Sequence, residues 1–187
     1  MEDKFYRVNP CSTELIDEMD STKPHIFSLK YREHIQNVGF SDEDLLKNNL
    51  KRVFVENLLE AVREQKYPDK PSRLCSIFLF DSLDIAEKFK DSGWTEPDGI
   101  ISSYRILELY KPVFRADMGF VNMVSNLHEK WDEFKVKKAV FIKSDLNESL
   151  RAVCDLYWRG KTILDIGFPV KNHIPEILVE GKVQRIP

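Results

Sequence analysis

The segment "PSRLCSIFLFDSLDIAEKF", Pro71 to Phe89, carries two different periodicities side by side. Ser76-Ile77-Phe78-Leu79-Phe80 is a short continuous apolar run bounded by polar groups, the pattern of a buried strand. Leu83, Ala86 and Phe89 then recur at helical spacing, with Asp81 or Ser82 as N-cap and Gly93 as the C-terminal stop. The polar flank Asp81-Ser82 is therefore explained as punctuation. Ser72, Arg73 and Ser76 are not needed for capping, which makes them candidates for a site at a strand end, where rigid scaffolds tend to carry binding groups.

Strand and helix patterns continue on both sides. "KFYRVNP" predicts a first strand ended by Asn9-Pro10. Ser12 and Thr13 can cap a brief helix through Leu15, Ile16 and Met19, and the polar stretch from Ser21 to Gly39, with His25 and His34, reads as loop. The clearest helix is "SDEDLLKNNLKRVFVENLLEAVREQKYP". Ser41 can cap it, with Asp44 three residues on; Leu46, Leu50, Val53, Phe54, Leu58, Ala61 and Val62 form its apolar set, and Tyr67-Pro68 ends it.

"ISSYRILELYKPVF" predicts a strand. "DMGFVNMVSNLHEKWDEF" predicts a helix capped by Asp117, with Phe120, Val121, Val124, Leu127, Trp131 and Phe134 inward. "KAVFIK" predicts a strand and "SDLNESLRAVCDLYWRG" a capped helix ending at Gly160. A loop with Gly167 and Pro169 leads to a last strand, "EILVEGKV", with a hairpin or bulge at Gly181. Strands and helices do not alternate regularly enough for a doubly wound sheet, and no composition shift divides the chain. The expectation is one α+β domain over residues 1–187, with a helical insert at about 41–66.

The bulk properties exclude more than they assign. With 187 residues, 42% hydrophobic and 32% charged, the chain is long and apolar enough to bury a core. A net charge of −3 gives no strong signal for nucleic acid. Cys11, Cys75 and Cys154 are odd in number and far apart, which favours free thiols in a reducing, cytoplasmic setting. The N-terminus "MEDKFYRVNP" has no apolar signal region, and no run reaches transmembrane length, so no membrane association is expected. No Walker loop, GxGxxG, HExxH or GxSxG is present. His25, His34, His128 and His173 show no ligand spacing, so no metal is expected. Cys154 falls on the apolar face of a helix, the place of a buried thiol rather than a nucleophile.

Four polar or aromatic positions remain. Arg7 lies inside the first strand, Ser72-Arg73 and Ser76 flank or enter the next, Tyr157 and Trp158 precede Arg159 in "YWRG", and Glu176 opens the last strand. Taken singly, each has a structural explanation: an edge arginine snorkels to solvent, a serine after proline turns the chain, and a tryptophan fills a core.

Their order along the chain resembles the Arg–Ser–Glu layout of ADP-ribosyltransferase-like proteins. An Arg sits in an aromatic-rich "FYRV" strand, "SIFLFDSLDIAEKF" is similar to that superfamily's strand-then-helix segment, and "PEILVEGKV" to the strand carrying its catalytic acid. The combination "PSR…FLF…A…F", "YW.G" and "E.LV.G.V" also resembles an uncharacterised bacterial and phage family near that superfamily. The matches run from Arg7 to Val183, leaving the helices at 41–66 and 117–134 unexplained.

The resemblance implies a split pair of small, mostly antiparallel sheets with peripheral helices and NAD in the cleft between the sheets. Arg7 would hold the cofactor's phosphates or adenosine ribose, with Arg73 nearby. Ser72 or Ser76 would support the nicotinamide ribose or the acid, and Tyr157 or Trp158 would stack on nicotinamide. Glu176 would be the catalytic acid. Members that modify arginine carry Glu or Gln two residues before that acid; here the position is Ile174, followed by Pro175, which leaves the acceptor open between a side chain, a nucleic acid, a small molecule and water. Two other readings stand beside this one: a non-catalytic module holding a nucleotide-like ligand or a partner, and a structural protein in which Arg7 and Glu176 form a salt bridge.

Overall fold

A computed structural model describes residues 4–9, 17–22, 43–92, 98–127 and 145–187, with side chains of the first long helix described from residue 53 onward. The expectations for the helix at 12–16, the loop at 23–39, the Ser41 cap, Gly93, Trp131, Phe134, the strand at 138–143, Cys11, His25, His34 and His128 lie outside the described residues. The fold is α+β, with two small antiparallel sheets and four helices in the described residues. In chain order the elements are β1 (Phe5–Asn9), β2 (Glu18–Asp20), α1 (Glu43–Lys66), β3 (Ile77–Leu79), α2 (Leu83–Lys90), β4 (Ile100–Leu109), β5 (Phe114–Asp117), α3 (Met118–Leu127), α4 (Leu146–Trp158), two short 3-10 turns (Ile163–Ile166 and Val170–Asn172), β6 (Pro175–Val179) and β7 (Gly181–Ile186). They group into two compact units interleaved in sequence. One comprises residues 1–23, 69–116 and 174–187, the other residues 24–68 and 117–173.

The first unit holds both sheets, ordered β1-β4-β7-β2 and β3-β6-β5. Met19, expected in a helix, is instead in β2 opposite Val183 of β7 and is buried. Sheet pairing over an apolar core outweighs the local helix signal of a short capped segment. Alternation sorts the two faces of β3 and β6. Ile77, Leu79, Ile177 and Val179 join Phe5 and Tyr104 in the core cluster. Phe78, Leu178 and Glu176 take the alternate positions and so face the other way. α2 follows β3 as expected: Ser82 is its N-cap, accepting from the Ile85 N–H at 3.3 Å, and Phe89 returns to Phe80 with ring centroids 4.8 Å apart.

Two expected single strands are each divided between the sheets. "ISSYRILELYKPVF" ends as β4 at Leu109 and resumes as β5 in the other sheet, with Pro112, which has no N–H for a ladder, in the crossing. "EILVEGKV" likewise leaves one sheet after Val179 and enters the other at Gly181. The two crossings bond to each other, since the Glu180 carbonyl accepts from the Tyr110 N–H at 2.8 Å and the Lys111 N–H at 3.4 Å. Gly181 is required by this close approach, because a Cβ there would lie 2.0 Å from the Glu108 carbonyl oxygen, next to a register shift in β4. A further tie joins the sheets at Tyr6 and Phe80, whose backbones exchange hydrogen bonds of 2.8 and 2.7 Å.

In the second unit, α1 packs on α4 and α3. Its buried residues are Val55, Leu59 and Val62, spaced four and three apart. Of the expected apolar face, Val62 is buried and Val53 and Leu58 partly so, while Phe54 is half-exposed and Ala61 exposed; the side chains of Leu46 and Leu50 lie outside the described residues. A partner fixes the face, because the buried indole of Trp158 donates to the Leu59 carbonyl at 2.8 Å. α3 buries Phe120, Val121, Val124 and Leu127 as expected, and β5 runs directly into it through Asp117. The Asp117 carboxylate accepts from the Gly119 and Ile163 N–H groups at 2.8 and 2.9 Å and lies 2.7 Å from Nδ1 of His173. α4 starts on Asp145, which accepts from Asn147 and Glu148, and ends before Gly160 at φ 69°.

Asp155 of α4 is met by Lys66 at 3.0 Å, Tyr67 at 2.9 Å and Arg159 at 2.8 Å. Burial alone would raise its pKa, but these hydrogen bonds and charges outweigh it and hold the carboxyl below the usual carboxylate range. A depressed folded pKa contributes stability above the unfolded value, about 3.9, and that stability is lost as pH falls through the folded value. Asp155→Asn is therefore expected to lower stability at pH 7 while narrowing its gap to wild type below about pH 4, as read from urea midpoints across pH.

Candidate functional site

The site begins in the turn that precedes β3. Ser72 Oγ accepts from the Leu74 N–H at 3.2 Å, its carbonyl accepts from the Cys75 N–H at 3.1 Å, and Ser76 Oγ donates to the same carbonyl at 2.6 Å. The Ser72 N–H in turn donates to the Glu180 carboxylate. Both serines are thus spent on building a tight turn. The turn sends Leu74 and Cys75 outward and Arg73 inward.

Arg73 is 4% exposed and pairs through Nη1 with the carboxylate of Glu176, itself 1% exposed. The Arg73 guanidinium also lies over the Phe78 ring, 4.8 Å from its centroid. Arg7 reaches the same residue from β1: its Nη1 donates to the Phe78 carbonyl at 3.3 Å and its Nε to Asn9 Oδ1 at 3.1 Å. Asn9 is fixed in turn by the Tyr104 hydroxyl and the Ile100 carbonyl, each at 3.4 Å. Burial pulls the Arg7 guanidinium below its ordinary pKa, partly offset by Tyr104, while burial pushes the Tyr104 phenol up and the charge of Arg7 pulls it back.

Arg73 and Glu176 are therefore paired beside the Phe78 ring, Ser72 and Ser76 build the turn that carries Arg73, and Arg7 reaches only the backbone carbonyl of Phe78 from β1, on the side of Tyr104. The carboxylate of Glu176 takes Arg73, where the structural reading expected Arg7. Among the described residues the guanidinium of Arg7 is met only by neutral oxygens. Tyr157 and Trp158 belong to α4 in the helical unit, where both are fully buried and stand edge to face at 4.9 Å. Cys154 is buried beside them, and that burial pushes its thiol up to about 12, so at neutral pH it is no nucleophile. Glu180 and Asn9 had no signal in the sequence. Each earns its place only through contacts far along the chain.

Among the described residues no group of His, Cys, Asp or Glu is arranged to hold a metal, and no helix is long and apolar enough to cross a membrane. An α+β chain with two small antiparallel sheets and a buried Arg–Glu pair between β6 and the turn before β3 is the class so defined. The chain belongs to a family described as protein of unknown function, DUF2441, matched over residues 3–186. No curated protein matches it.

Proposed function

We propose that this protein is an ADP-ribosyltransferase-like, cytoplasmic domain that binds NAD at Arg7 and Glu176 and transfers its ADP-ribose to an acceptor, or to water. The observation that carries the reading is Arg7. A half-buried guanidinium held by the amide of Asn9 and the carbonyl of Phe78 keeps its positive charge uncompensated among the described residues. A pyrophosphate answers that charge and matches the planar donor fork. Glu176 supplies the chemistry: its carboxylate stabilises the positive charge that develops on the ribose as the nicotinamide bond breaks. Ile174-Pro175 ahead of it gives no group for engaging an arginine acceptor, so the acceptor is of another kind. Tyr157 and Trp158 stay outside this reading because both rings are buried.

A second reading, a non-catalytic NAD-binding module, is favoured by one observation: the charge of Glu176 is already answered by Arg73 in the interior. Calorimetric titration with NAD and chromatography of released nicotinamide separate the two. In the enzyme, wild type releases nicotinamide, Arg7→Gln weakens NAD binding about tenfold or more, and Glu176→Gln keeps binding while release falls about 100-fold. Binding without release by wild type supports the module. No binding to wild type at millimolar NAD overturns both.

A further inference from the structure

We infer that Arg73 is a built-in competitor at Glu176, so that the resting protein is self-blocked and NAD enters by displacing the turn that carries Arg73. This inference rests on the NAD reading above. Its starting point is a conflict within the site. In that reading Glu176 stabilises the positive charge developing on the ribose, yet it is 1% exposed and already ion-paired. A buried carboxylate bound to a guanidinium cannot also receive a ribose at the same oxygen. One of the two cations, Arg73 or the developing ribose, must give way.

The turn at Ser72–Ser76 is built as a plug. Its tip is in solvent, with Leu74 52% exposed and Cys75 exposed, while Arg73 points inward beneath it. Its contacts include Ser72 N–H to the Glu180 carboxylate, Ser76 Oγ to the Ser72 carbonyl, the Arg73–Glu176 ion pair and the stacking of Arg73 on Phe78. Arg73 and Arg7 approach Phe78 from different segments, one over its ring and one at its carbonyl. Because only the open fraction of molecules can bind, a mostly closed resting state lowers apparent affinity by that fraction, so removing the competitor tightens binding without adding a contact.

The test uses the full chain and NAD. Arg73→Gln is expected to bind NAD about tenfold more tightly than wild type in calorimetric titration. Equal or weaker binding by a folded Arg73→Gln variant, with wild type still binding, overturns the inference and leaves the NAD reading standing. Failure of both proteins to bind overturns the NAD reading and this inference with it. If Arg73→Gln does not fold, wild type alone decides through hydrogen exchange. Saturating NAD is expected to speed exchange at the amides of Leu74 and Cys75, whose acceptors are the Ser72 hydroxyl and carbonyl. Unchanged or slower exchange at those two amides while NAD is bound means that the turn stays shut, and the inference fails.

Discussion

Arg73→Ala is expected to cost about 3–5 kcal/mol of unfolding free energy, measured by urea denaturation in the absence of nucleotide. The size follows from where the pair sits. With both side chains buried, the Coulombic attraction only offsets desolvation, so the intact pair adds little net stability. Removing one partner is different, since it leaves Glu176 charged or neutralised in an apolar setting, with Phe78 and Leu178 on the same face of the sheet. Replacing both partners by apolar residues of similar volume, Arg73→Met with Glu176→Leu, is expected to recover most of that loss. A recovery of less than about 1 kcal/mol in the double variant would show that the turn's own hydrogen bonds, not the charge, set the cost of Arg73→Ala. A loss below about 1 kcal/mol in Arg73→Ala itself would mean that Glu176 finds another cation or water once the guanidinium is gone.

The same pair shows which parts of this protein the amino-acid order makes legible. Local signals hold where a local cause decides them. Ser82 and Asp145 cap helices because a short side-chain oxygen reaches N–H groups two or three residues on, and Gly160 ends α4 in a left-handed conformation. The strand at Ile77–Leu79 and the helix at Leu83–Lys90 are likewise visible in their periods. Where the cause is distant, the pattern misleads. Met19 is a strand residue because Val183 lies opposite it, and α1 turns Leu59 inward rather than Leu58 because Trp158 needs its carbonyl. The crossing at Lys111–Pro112 reads as a continuous strand and that at Glu180 as a hairpin or bulge at Gly181, since only the close approach of Gly181 to Glu108 and the bonds to the Glu180 carbonyl reveal the change of sheet. For the site, the residues are recognisable and the pairing is not. Arg73 and Glu176 meet while Arg7 reaches only the Phe78 carbonyl, and nothing in their order says that Glu176 takes Arg73 and that the serines are consumed by the turn.

Trp158→Ala is expected to be as costly, about 3–5 kcal/mol, for a reason that involves no charge. The indole is fully buried, meets Tyr157 edge to face at 4.9 Å, and donates to Leu59 in the middle of α1. Alanine would leave a cavity between α1 and α4 and an unpartnered indole site on the Leu59 carbonyl. Trp158→Phe fills most of the cavity and loses the donor, so a smaller loss of about 1–3 kcal/mol is expected from the hydrogen bond and the residual void. This pair of variants also separates two roles for the "YWRG" segment. If Trp158 only joins helices, the folded phenylalanine variant binds NAD as wild type does. If its ring stacks on nicotinamide, affinity falls about tenfold or more in a variant that is still folded, and the burial of Trp158 would then have to be relieved when the ligand enters. Calorimetric titration of NAD into Trp158→Phe, beside a urea curve on the same preparation, reads both quantities at once.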